Sequence, residues 1–411
     1  MRILKVTQAY YPFQDRGGPA TKVRSIATRL VARDHHVTVL TADLGFGPEE
    51  IASAGAERNA DGWRSNHESV KAFYLKTRFR YRSLTTNPGV RDFSRRYLQE
   101  FDLVHIYGIY DLLGPAIASY CRRENIPYVV EPMGMFRPIV RNIWLKRFYH
   151  HLLGLEMFSG ARKIVATSLQ EQQELIQGGL PREKVVIRRN GVSVPEQLPE
   201  PGTFRRKWGI ANDAKVVLFL GRIVSKKAPD LLLKAFAAYC DQNESANGSM
   251  LVLAGPDGDS SYRKRLDSLI VRLGLSKRVL FPGPLYDDSK WGAFRDSDVF
   301  VLPSQNENFG NTVAEAVACG TPVIVTDRCG VAPAIDGRAG IVVPYDQLAL
   351  QKALTELLND SDLRERLRAG CPEVASQLSW QEPLEMMEDL YRNMVREDQP
   401  LMTPVPSLAK D

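Results

Sequence analysis

Residues 298–327 read DVFVLPSQNENFGNTVAEAVACGTPVIVTD. Two short apolar runs, Val299–Leu302 and Val323–Thr326, are rich in β-branched residues and predict strands. The stretch between them predicts a helix over Thr312–Cys319, because a glycine and a proline follow it as stop signals. A strand, a helix and a second strand in this order form a βαβ unit, whose strands run parallel.

The same alternation of short strands and helices extends along the whole chain, on both sides of a stretch rich in proline and glycine. We therefore predict an α/β protein with two facing, Rossmann-like, doubly wound domains and a ligand cleft at the carboxyl ends of their strands. The predicted parts are a first domain over 1–190, a linker over 191–213, a second domain over 214–378, a C-terminal crossing helix over 379–398 and a disordered tail over 399–411.

Length and composition agree with two folded domains, since the chain has 411 residues of which 44% are hydrophobic. A run of eighteen apolar residues, the length that spans a bilayer, does not occur in the sequence. The five cysteines are odd in number and scattered without a C-x-x-C pair, which favours reduced thiols in a cytoplasmic protein over disulfides or a zinc site.

The net charge of +6 is distributed unevenly. Residues 1–190 contain 29 Lys and Arg against 18 Asp and Glu, a charge of +11, whereas residues 191–411 contain 25 against 30, a charge of −5. A basic half beside an acidic half suggests an anionic ligand or surface for the first half, although a merely solvated basic face is the commoner explanation.

The stretch NENFGNTVAEAVACGTP over 306–322 permits two interpretations. Thr312 and Glu315 have the spacing of a capping box, which would make both residues structural. A helix start preceded by a glycine, here Gly310, is alternatively a ready site for phosphate. The cap leaves Glu307 unexplained, because that carboxylate lies outside the helix, and both interpretations remain open at this point.

Two other loops at strand ends have the composition of anion sites. In GRIVSKKAP, after the strand Val216–Leu220, Arg222, Lys226 and Lys227 lie between a strand and a helix, which favours phosphate binding over a solvated loop. Gly17 and Gly18 precede the first helix, where a bare backbone could approach a phosphate or a sugar, or simply form a flexible turn.

Other polar residues have simpler explanations. The D-x-D pairs Asp257/Asp259 and Asp296/Asp298 could hold a divalent metal, but turns and helix caps explain them better, so we predict no metal site. His105 lies in the apolar run DLVHIYG, where it could serve a substrate hydroxyl, although a hydrogen-bonded core imidazole is the more common case.

The phrases GGPA, GRIVSKKAPDLLLKAF, FPGPLY and DVFVLPSQNENFGNTVAEAVACGTPVIVTD occur in this order. Together they resemble the family 4 retaining glycosyltransferases, whose GT-B fold consists of two facing Rossmann-like domains. The resemblance extends over nearly the whole chain and is most specific over 216–345. It implies a metal-independent, hexosyltransferase-type enzyme that moves a sugar from a UDP- or GDP-linked donor to a hydroxyl acceptor in polysaccharide, glycolipid or glycoconjugate biosynthesis, with no cofactor.

The resemblance also implies roles for individual residues. Glu307 would contact hydroxyls of the transferred sugar and Glu315 those of the ribose, while Arg222 and Lys227 would bind the diphosphate. The remaining implied donor-site residues are Gly17, Gly18, Asn308, Phe309, Gly310, Asn311 and Thr312. Glu307, Arg222 and Lys227 would act in catalysis, and the charge on the leaving diphosphate would be stabilised without a metal ion.

The chain departs from the family pattern at three places. In EPMGMF, over 131–136, many relatives have a Pro-His-Gly phrase, and here Met133 takes the position of the histidine. The usual glycine after the lysine pair is replaced by Ala228. A glutamate that many relatives have near CGVAPAID is absent. The first change leaves the acceptor-side residues, His105 and Met133, as weak assignments.

Other functions remain as alternatives, namely a sugar-nucleotide epimerase, a phosphorylase, or a non-catalytic binding subunit of a polysaccharide assembly complex. We expect a cytoplasmic protein that does not bind nucleic acid. Two segments rich in cations and aromatic residues, 71–82 and 137–151, suggest peripheral contact with the anionic inner face of a membrane and a lipid-linked or otherwise anionic acceptor. A soluble acceptor, with these aromatic residues in the core, is the competing interpretation.

Overall fold

The chain folds into two compact units, and each contains a largely or wholly parallel sheet covered by helices. The computed structural model describes residues 1–13, 18–81, 84–136, 144, 148–243 and 248–397. Unit 1 contains Met1–Ala166, Gln172–Arg188 and the chain from Leu384 onward. Unit 2 contains Thr167–Glu171 and Arg189–Pro383. The predicted tail over 399–411 and most of 137–147 lie outside the described residues.

Within the described residues, nine strands of unit 1 form one sheet in the order β11-β10-β9-β8-β1-β2-β5-β4-β3. Pairing is parallel except that β4 runs antiparallel to β3 and to β5. A separate hairpin consists of β6 and β7. The strands are β1 (Arg2–Val6), β2 (His36–Ala42), β3 (Glu57–Asn59), β4 (Gly62–His67), β5 (Val70–Leu75), β6 (Phe79–Tyr81), β7 (Leu84–Thr86), β8 (Leu103–Tyr107), β9 (Tyr128–Glu131), β10 (Lys163–Ala166) and β11 (Val185–Ile187).

The helices of unit 1 cover a core of aliphatic and aromatic side chains that lie on the central strands. Their bounds are α1 (Gly18–Val31), α2 (Pro48–Ala54), α3 (Val90–Tyr97), α4 (Leu113–Arg123), and α5 (Leu155–Ser159), which follows a π-helical turn over His150–Gly154. Helix α6 (Leu169–Gln177) begins in unit 2 and continues in unit 1.

Unit 2 contains a six-stranded sheet in the order β14-β13-β12-β15-β16-β17, and every pair in it is parallel. The strands are β12 (Val216–Leu220), β13 (Met250–Ala254), β14 (Val279–Gly283), β15 (Val299–Leu302), β16 (Val323–Thr326) and β17 (Gly340–Val343). This is the 3-2-1-4-5-6 order of the Rossmann fold, which places the topological switch point between β12 and β15. The βαβ unit predicted over 298–327 is thus present.

The helices of unit 2 pack on both faces of this sheet around a continuous apolar core. Their bounds are α7 (Thr203–Trp208), α8 (Pro229–Gln242), α9 (Ser260–Arg272), α10 (Asp287–Arg295), α11 (Asn311–Ala318), α12 (Ala332–Ile335), α13 (Gln347–Asn359) and α14 (Ser361–Gln377).

The last helix, α15 (Gln381–Glu397), begins in unit 2 and continues in unit 1, where polar contacts fasten it. Glu388 accepts hydrogen bonds from Arg33 and His35, each at 2.8 Å, and these three side chains are largely buried. Tyr391 is fully buried and its hydroxyl lies 2.5 Å from Nδ1 of His105. Among the described residues, none of the helices is both long and apolar enough to cross a bilayer.

Candidate active site

The switch point of unit 2 brings together the two loops that sequence analysis associated with phosphate. β12 and β15 are paired neighbours, so the loops that follow them leave the same edge of the sheet. The first loop contains a short 3₁₀ turn over Ser225–Lys227, and the second runs from Pro303 to the start of α11. The amide of Gln305 donates to the carbonyl of Lys226 at 2.9 Å, so the two loops are joined directly.

The turn after β16 supports the second loop from its other side. The amide of Glu307 donates to the carbonyl of Arg328, and the amide of Gly330 donates to the carbonyl of Glu307, both at 2.9 Å. The amide of Val331 donates to the carbonyl of Phe309 at 2.9 Å. Because backbone hydrogen bonds hold this loop on both sides, the backbone of Glu307 has a defined position.

Gly310 is the N-cap of α11, and its backbone has φ +99° and ψ +57°, a left-handed conformation that favours glycine. A Cβ at this position would lie 2.7 Å from Sγ of Cys329, so no larger residue fits without displacement. In the described part of the chain, the amides of Gly310, Asn311 and Thr312 have no acceptor. Three free N–H groups at a helix N-terminus can bind an anion.

The capping-box interpretation of Thr312 and Glu315 is wrong. Helix α11 begins at Asn311, so Thr312 is its second residue, and its N-cap makes no side-chain cap hydrogen bond. The carboxylate of Glu315 instead accepts a hydrogen bond from Nζ of Lys290 on α10 at 2.9 Å. The left-handed turn at Gly310 starts the helix two residues before a Thr312 cap would allow.

Glu307 and Lys227 form an ion pair, and both side chains are about one-fifth exposed. The pair joins the two loops across 80 residues of sequence. Arg222 lies on the first loop, and its side chain is exposed. Among the described residues, its guanidinium has no hydrogen-bond or ion-pair partner, so its five donors are available to a ligand.

Side chains elsewhere in the motif have structural partners. The ring of Phe309 is buried in the core of unit 2. Nδ2 of Asn308 donates to the hydroxyl of Thr167 at 2.6 Å, and Nδ2 of Asn190 donates to the side-chain oxygen of Asn311 at 3.1 Å. These contacts leave the backbone of the motif, rather than its amide side chains, as the part available to a ligand.

Three partners of the site were missed by sequence analysis, namely Lys290, Cys329 and Thr167. Each lies far along the chain from the residue it contacts, and none belongs to a phrase with a recognisable spacing. Lys290 also lies 4.2 Å from the ring centre of Trp291, which restrains its ammonium beside Glu315. The sequence around Lys290, a charged residue on a helix, contains no local signal that its ammonium pairs with Glu315.

His105 belongs to a buried polar network in unit 1. Its Nδ1 lies near the hydroxyls of Tyr391 and Tyr107, and Glu131 lies 3.5 Å from its Nε2. Burial lowers the pKa of His105 to about 3, although Glu131 opposes this effect, so the imidazole is neutral at pH 7.

Glu131 is the acidic centre of that network, and it forms ion pairs with Lys22 and with Arg188, the latter at 2.6 Å. Burial would raise the pKa of Glu131, but Arg188 and Lys22 outweigh it and hold this pKa well below its usual range. Lys5 donates to the Tyr107 hydroxyl at 2.7 Å, and burial together with Arg188 lowers its pKa well below the usual lysine value.

Two further predicted residues lie in loops of unit 1. Met133 has φ +54°, a left-handed conformation that is unusual for methionine, and a glycine with positive φ follows it. Helix α1 begins at Gly18, whereas Gly17 lies outside the described residues. The roles assigned to His105, Met133 and Gly18 stay predictions.

The D-x-D aspartates form the turns and caps expected of them. Asp259 is the N-cap of α9 and accepts from the amides of Ser261 and Tyr262. Asp296 accepts from the amides of Gly202 and Phe204 at the start of α7, at 2.6 and 2.8 Å. Over the described ranges, no group of three or more His, Cys, Asp or Glu residues could hold a metal ion.

Two family models and several proteins of known function match this chain. Residues 202–372 match the family model described as "Glycosyl transferases group 1", and residues 16–195 match the model described as "Glycosyltransferase Family 4". A D-inositol 3-phosphate glycosyltransferase from Streptomyces bingchenggensis is 34% identical over 93% of this chain and 86% of its own length. Another, from Corynebacterium urealyticum, is 28% identical over 96% of both chains.

Solved structures agree on the fold. The Anabaena protein Alr3699/HepE in complex with UDP and glucose superposes with a TM-score of 0.76 at 19% identity, over 96% of this chain and all of that one. Sucrose-phosphate synthase from Thermosynechococcus elongatus has a TM-score of 0.73 at 20% identity, over 96% of this chain and 99% of that one.

These matches define a glycosyltransferase with the GT-B fold. The chain belongs to glycosyltransferase family 4, and it is an enzyme that transfers a sugar from a nucleotide-sugar donor. The predictions of the GT-B fold, of the family and of a retaining, hexosyltransferase-type activity are thereby confirmed. The alternatives of an epimerase, a phosphorylase and a non-catalytic subunit find no support in these matches.

Proposed function

We propose that the donor is a UDP-sugar, GDP being the other candidate nucleotide, and that its diphosphate binds to Arg222, Lys227 and the amides of Gly310, Asn311 and Thr312. The observation that supports this most strongly is the convergence of these groups at the switch point of unit 2, with three amides and one guanidinium lacking partners among the described residues. UDP and glucose in the HepE structure support the choice of nucleotide.

Arg222 and the start of α11 then supply electrostatic stabilisation as the sugar leaves. Negative charge develops on the departing diphosphate, and preorganised N–H groups and a guanidinium stabilise it without reorganisation. This arrangement replaces a divalent metal ion. The acceptor hydroxyl attacks from the face that the diphosphate leaves, which retains the anomeric configuration, and the leaving phosphate takes the hydroxyl proton.

The two glutamates have separate tasks. Glu315, held by Lys290, accepts hydrogen bonds from the ribose hydroxyls of the donor. Glu307 binds hydroxyls of the transferred sugar, and its ion pair with Lys227 supports a position beside the diphosphate. Glu307 is a positioning group for the sugar and not a covalent nucleophile.

The acceptor is a hydroxyl compound with an anionic group and is bound by the domain over 1–190, whereas the domain over 214–378 binds the donor. The +11 charge of residues 1–190 supports an anionic acceptor. The relatives named as D-inositol 3-phosphate glycosyltransferases support a phosphorylated polyol as one acceptor class, and a lipid-linked phosphate is the other. We also propose that the enzyme works at the cytoplasmic face of a membrane.

A donor panel tests the function. Purified enzyme is incubated with UDP-, GDP- and ADP-sugars, each with a polyol phosphate, and nucleotide release is measured. Release with UDP-sugars is expected, and folded protein that releases no nucleotide from any donor would contradict the proposal.

Variants then test the site. Arg222→Ala is expected to weaken binding of UDP in calorimetry by about 1.5–3 kcal/mol, the usual loss for a charged hydrogen bond. Arg272→Ala, an exposed arginine elsewhere in unit 2, is the matched control and should bind UDP normally. Glu315→Gln should weaken UDP binding, whereas Glu307→Gln should reduce transfer and leave UDP affinity nearly intact. Equal effects of both glutamate variants on both quantities would refute the separate tasks.

A further inference from the structure

Unit 1 exposes large apolar side chains at Trp144 and in the helical run over 148–159. Trp144 is 75% exposed, Phe148 58%, Leu152 56% and Leu155 42%. The last three lie four and three residues apart in the uninterrupted helical run over 148–159, so they share one side of it. We call these four side chains the outer ridge.

The opposite side of the same run is anchored in unit 1, which fixes the direction of the outer ridge. Met157 and Phe158 are fully buried, and the buried Tyr149 donates its hydroxyl proton to the carbonyl of Asp111 at 2.5 Å. Nε2 of His150 lies 2.9 Å from the carbonyl of Phe136. The helical run over 148–159 therefore has apolar side chains on two sides. A rotation of this run that buried the outer ridge would expose Met157 and Phe158 instead.

The chain that precedes the outer ridge and overlaps its start is strongly basic, whereas Glu156, directly after Leu155, forms an ion pair with Arg122. The stretch RPIVRNIWLKRFYHH, over 137–151, contains four Lys and Arg and no Asp or Glu. Exposed apolar side chains next to clustered cations are typical of segments that bind anionic bilayers, because the apolar groups enter the interface while the cations meet lipid phosphates. A second copy of this chain is a poorer partner, since a two-fold contact would bring the same basic stretches together.

The stretch over 71–82 of unit 1, which includes strand β6 of the β6–β7 hairpin, has a similar composition. Phe79 is 62% exposed and Tyr81 is 49% exposed. The stretch KAFYLKTRFRYR, over 71–82, contains five Lys and Arg and no Asp or Glu. Aromatic rings of this kind favour the level of the lipid headgroups.

From these observations we propose that the outer ridge docks unit 1 on an anionic lipid bilayer, with the β6–β7 hairpin as a second point of contact. Docking brings the enzyme to a surface where lipid-linked anionic acceptors are held. The choice of such an acceptor rests on the function proposed above, whereas docking itself does not.

Vesicle sedimentation tests the docking. Full-length enzyme is mixed with vesicles of phosphatidylcholine alone, or with added phosphatidylglycerol, at low and high salt. Binding is expected only with phosphatidylglycerol, and added salt should weaken it. The variant Trp144→Ser/Phe148→Ser/Leu152→Ser should lose affinity by about tenfold or more. The control Val271→Ser/Leu348→Ser removes two exposed apolar residues of unit 2 and should bind like the parent.

UDP binding and donor hydrolysis without vesicles are measured on the same proteins. Normal values in the outer-ridge variant show that it is folded and separate a failure of docking from a failure of the proposed activity. No sedimentation with anionic vesicles at low salt, or unchanged sedimentation of the variant, overturns the proposal. Analytical ultracentrifugation tests the alternative partner, a second copy of this chain. If the parent protein is a dimer and the outer-ridge substitutions dissociate it, the outer ridge is a self-association surface instead of a membrane-docking surface.

Discussion

Gly310 offers a quantitative test of how the start of α11 is held. In Gly310→Ala the new methyl group would lie 2.7 Å from Sγ of Cys329, 3.2 Å from Cγ2 of Val313 and 3.3 Å from Cγ1 of Val331. Alanine would also have to adopt φ +99°. The left-handed backbone costs about 1–2 kcal/mol and overpacking a further 1–3 kcal/mol, so a loss of about 2–5 kcal/mol in stability is expected.

A substitution at Gly320, at the other end of the same helix, separates the backbone cost from the overpacking cost. Gly320 has φ +77°, and a Cβ there would have no neighbour within 4 Å. Gly320→Ala therefore reports the backbone cost alone, about 1–2 kcal/mol. Scanning calorimetry of both variants measures the difference, and calorimetric titration with UDP measures whether the helix start still binds the diphosphate.

Cys329→Ala removes the sulfur and should relieve most of the clash. The double variant Gly310→Ala/Cys329→Ala is expected to lose less stability than the two single variants together, with a coupling of about 1–3 kcal/mol. It should also recover part of the UDP affinity. Additive losses, or equal losses for Gly310→Ala and Gly320→Ala, would refute the steric argument.

Three other measurements test independent features. Ala228 is buried and has φ +52°, so the substitution Ala228→Gly relieves backbone strain. This variant should be about 1–2 kcal/mol more stable than the control Ala235→Gly, whose substitution lies in the interior of α8. Equal stability of the two variants would contradict the inference that the backbone at Ala228 is strained. The buried His105 has a pKa of about 3 against 6.5 in the unfolded chain, so the unfolded state binds the proton first and stability falls as pH drops below about 6.5. Denaturant unfolding between about pH 5 and 6 should therefore show a dependence of stability on pH that is weaker by about 1.4 kcal/mol per pH unit in His105→Gln than in the parent protein, and an equal dependence in the two proteins would contradict this prediction. Removal of divalent ions with EDTA should leave donor hydrolysis unchanged, and loss of activity that Mg²⁺ restores would oppose a metal-independent reaction.

Much of the architecture follows from local pattern. The run Val299–Leu302, the helix after Gly310 and the run Val323–Thr326 predict a parallel βαβ unit, because strand and helix periods are properties of neighbouring residues. The same holds for the loop containing Arg222 and Lys227, whose cations follow a buried strand directly. For these parts of the protein, the order of residues along the chain is enough to predict the local structure.

The partners within the site depend on tertiary structure. Lys227 and Glu307 are 80 residues apart, and Lys290 and Glu315 are 25 apart, so no helical or strand period relates them. The capping-box prediction failed for the same reason. The spacing of Thr312 and Glu315 is a local signal, whereas Cys329, from a distant turn, requires glycine at 310, and Lys290 on another helix binds Glu315. Only the packing of the sheet and its helices brings these groups within reach, because hydrogen bonds and steric contacts act over a few ångströms regardless of separation in sequence.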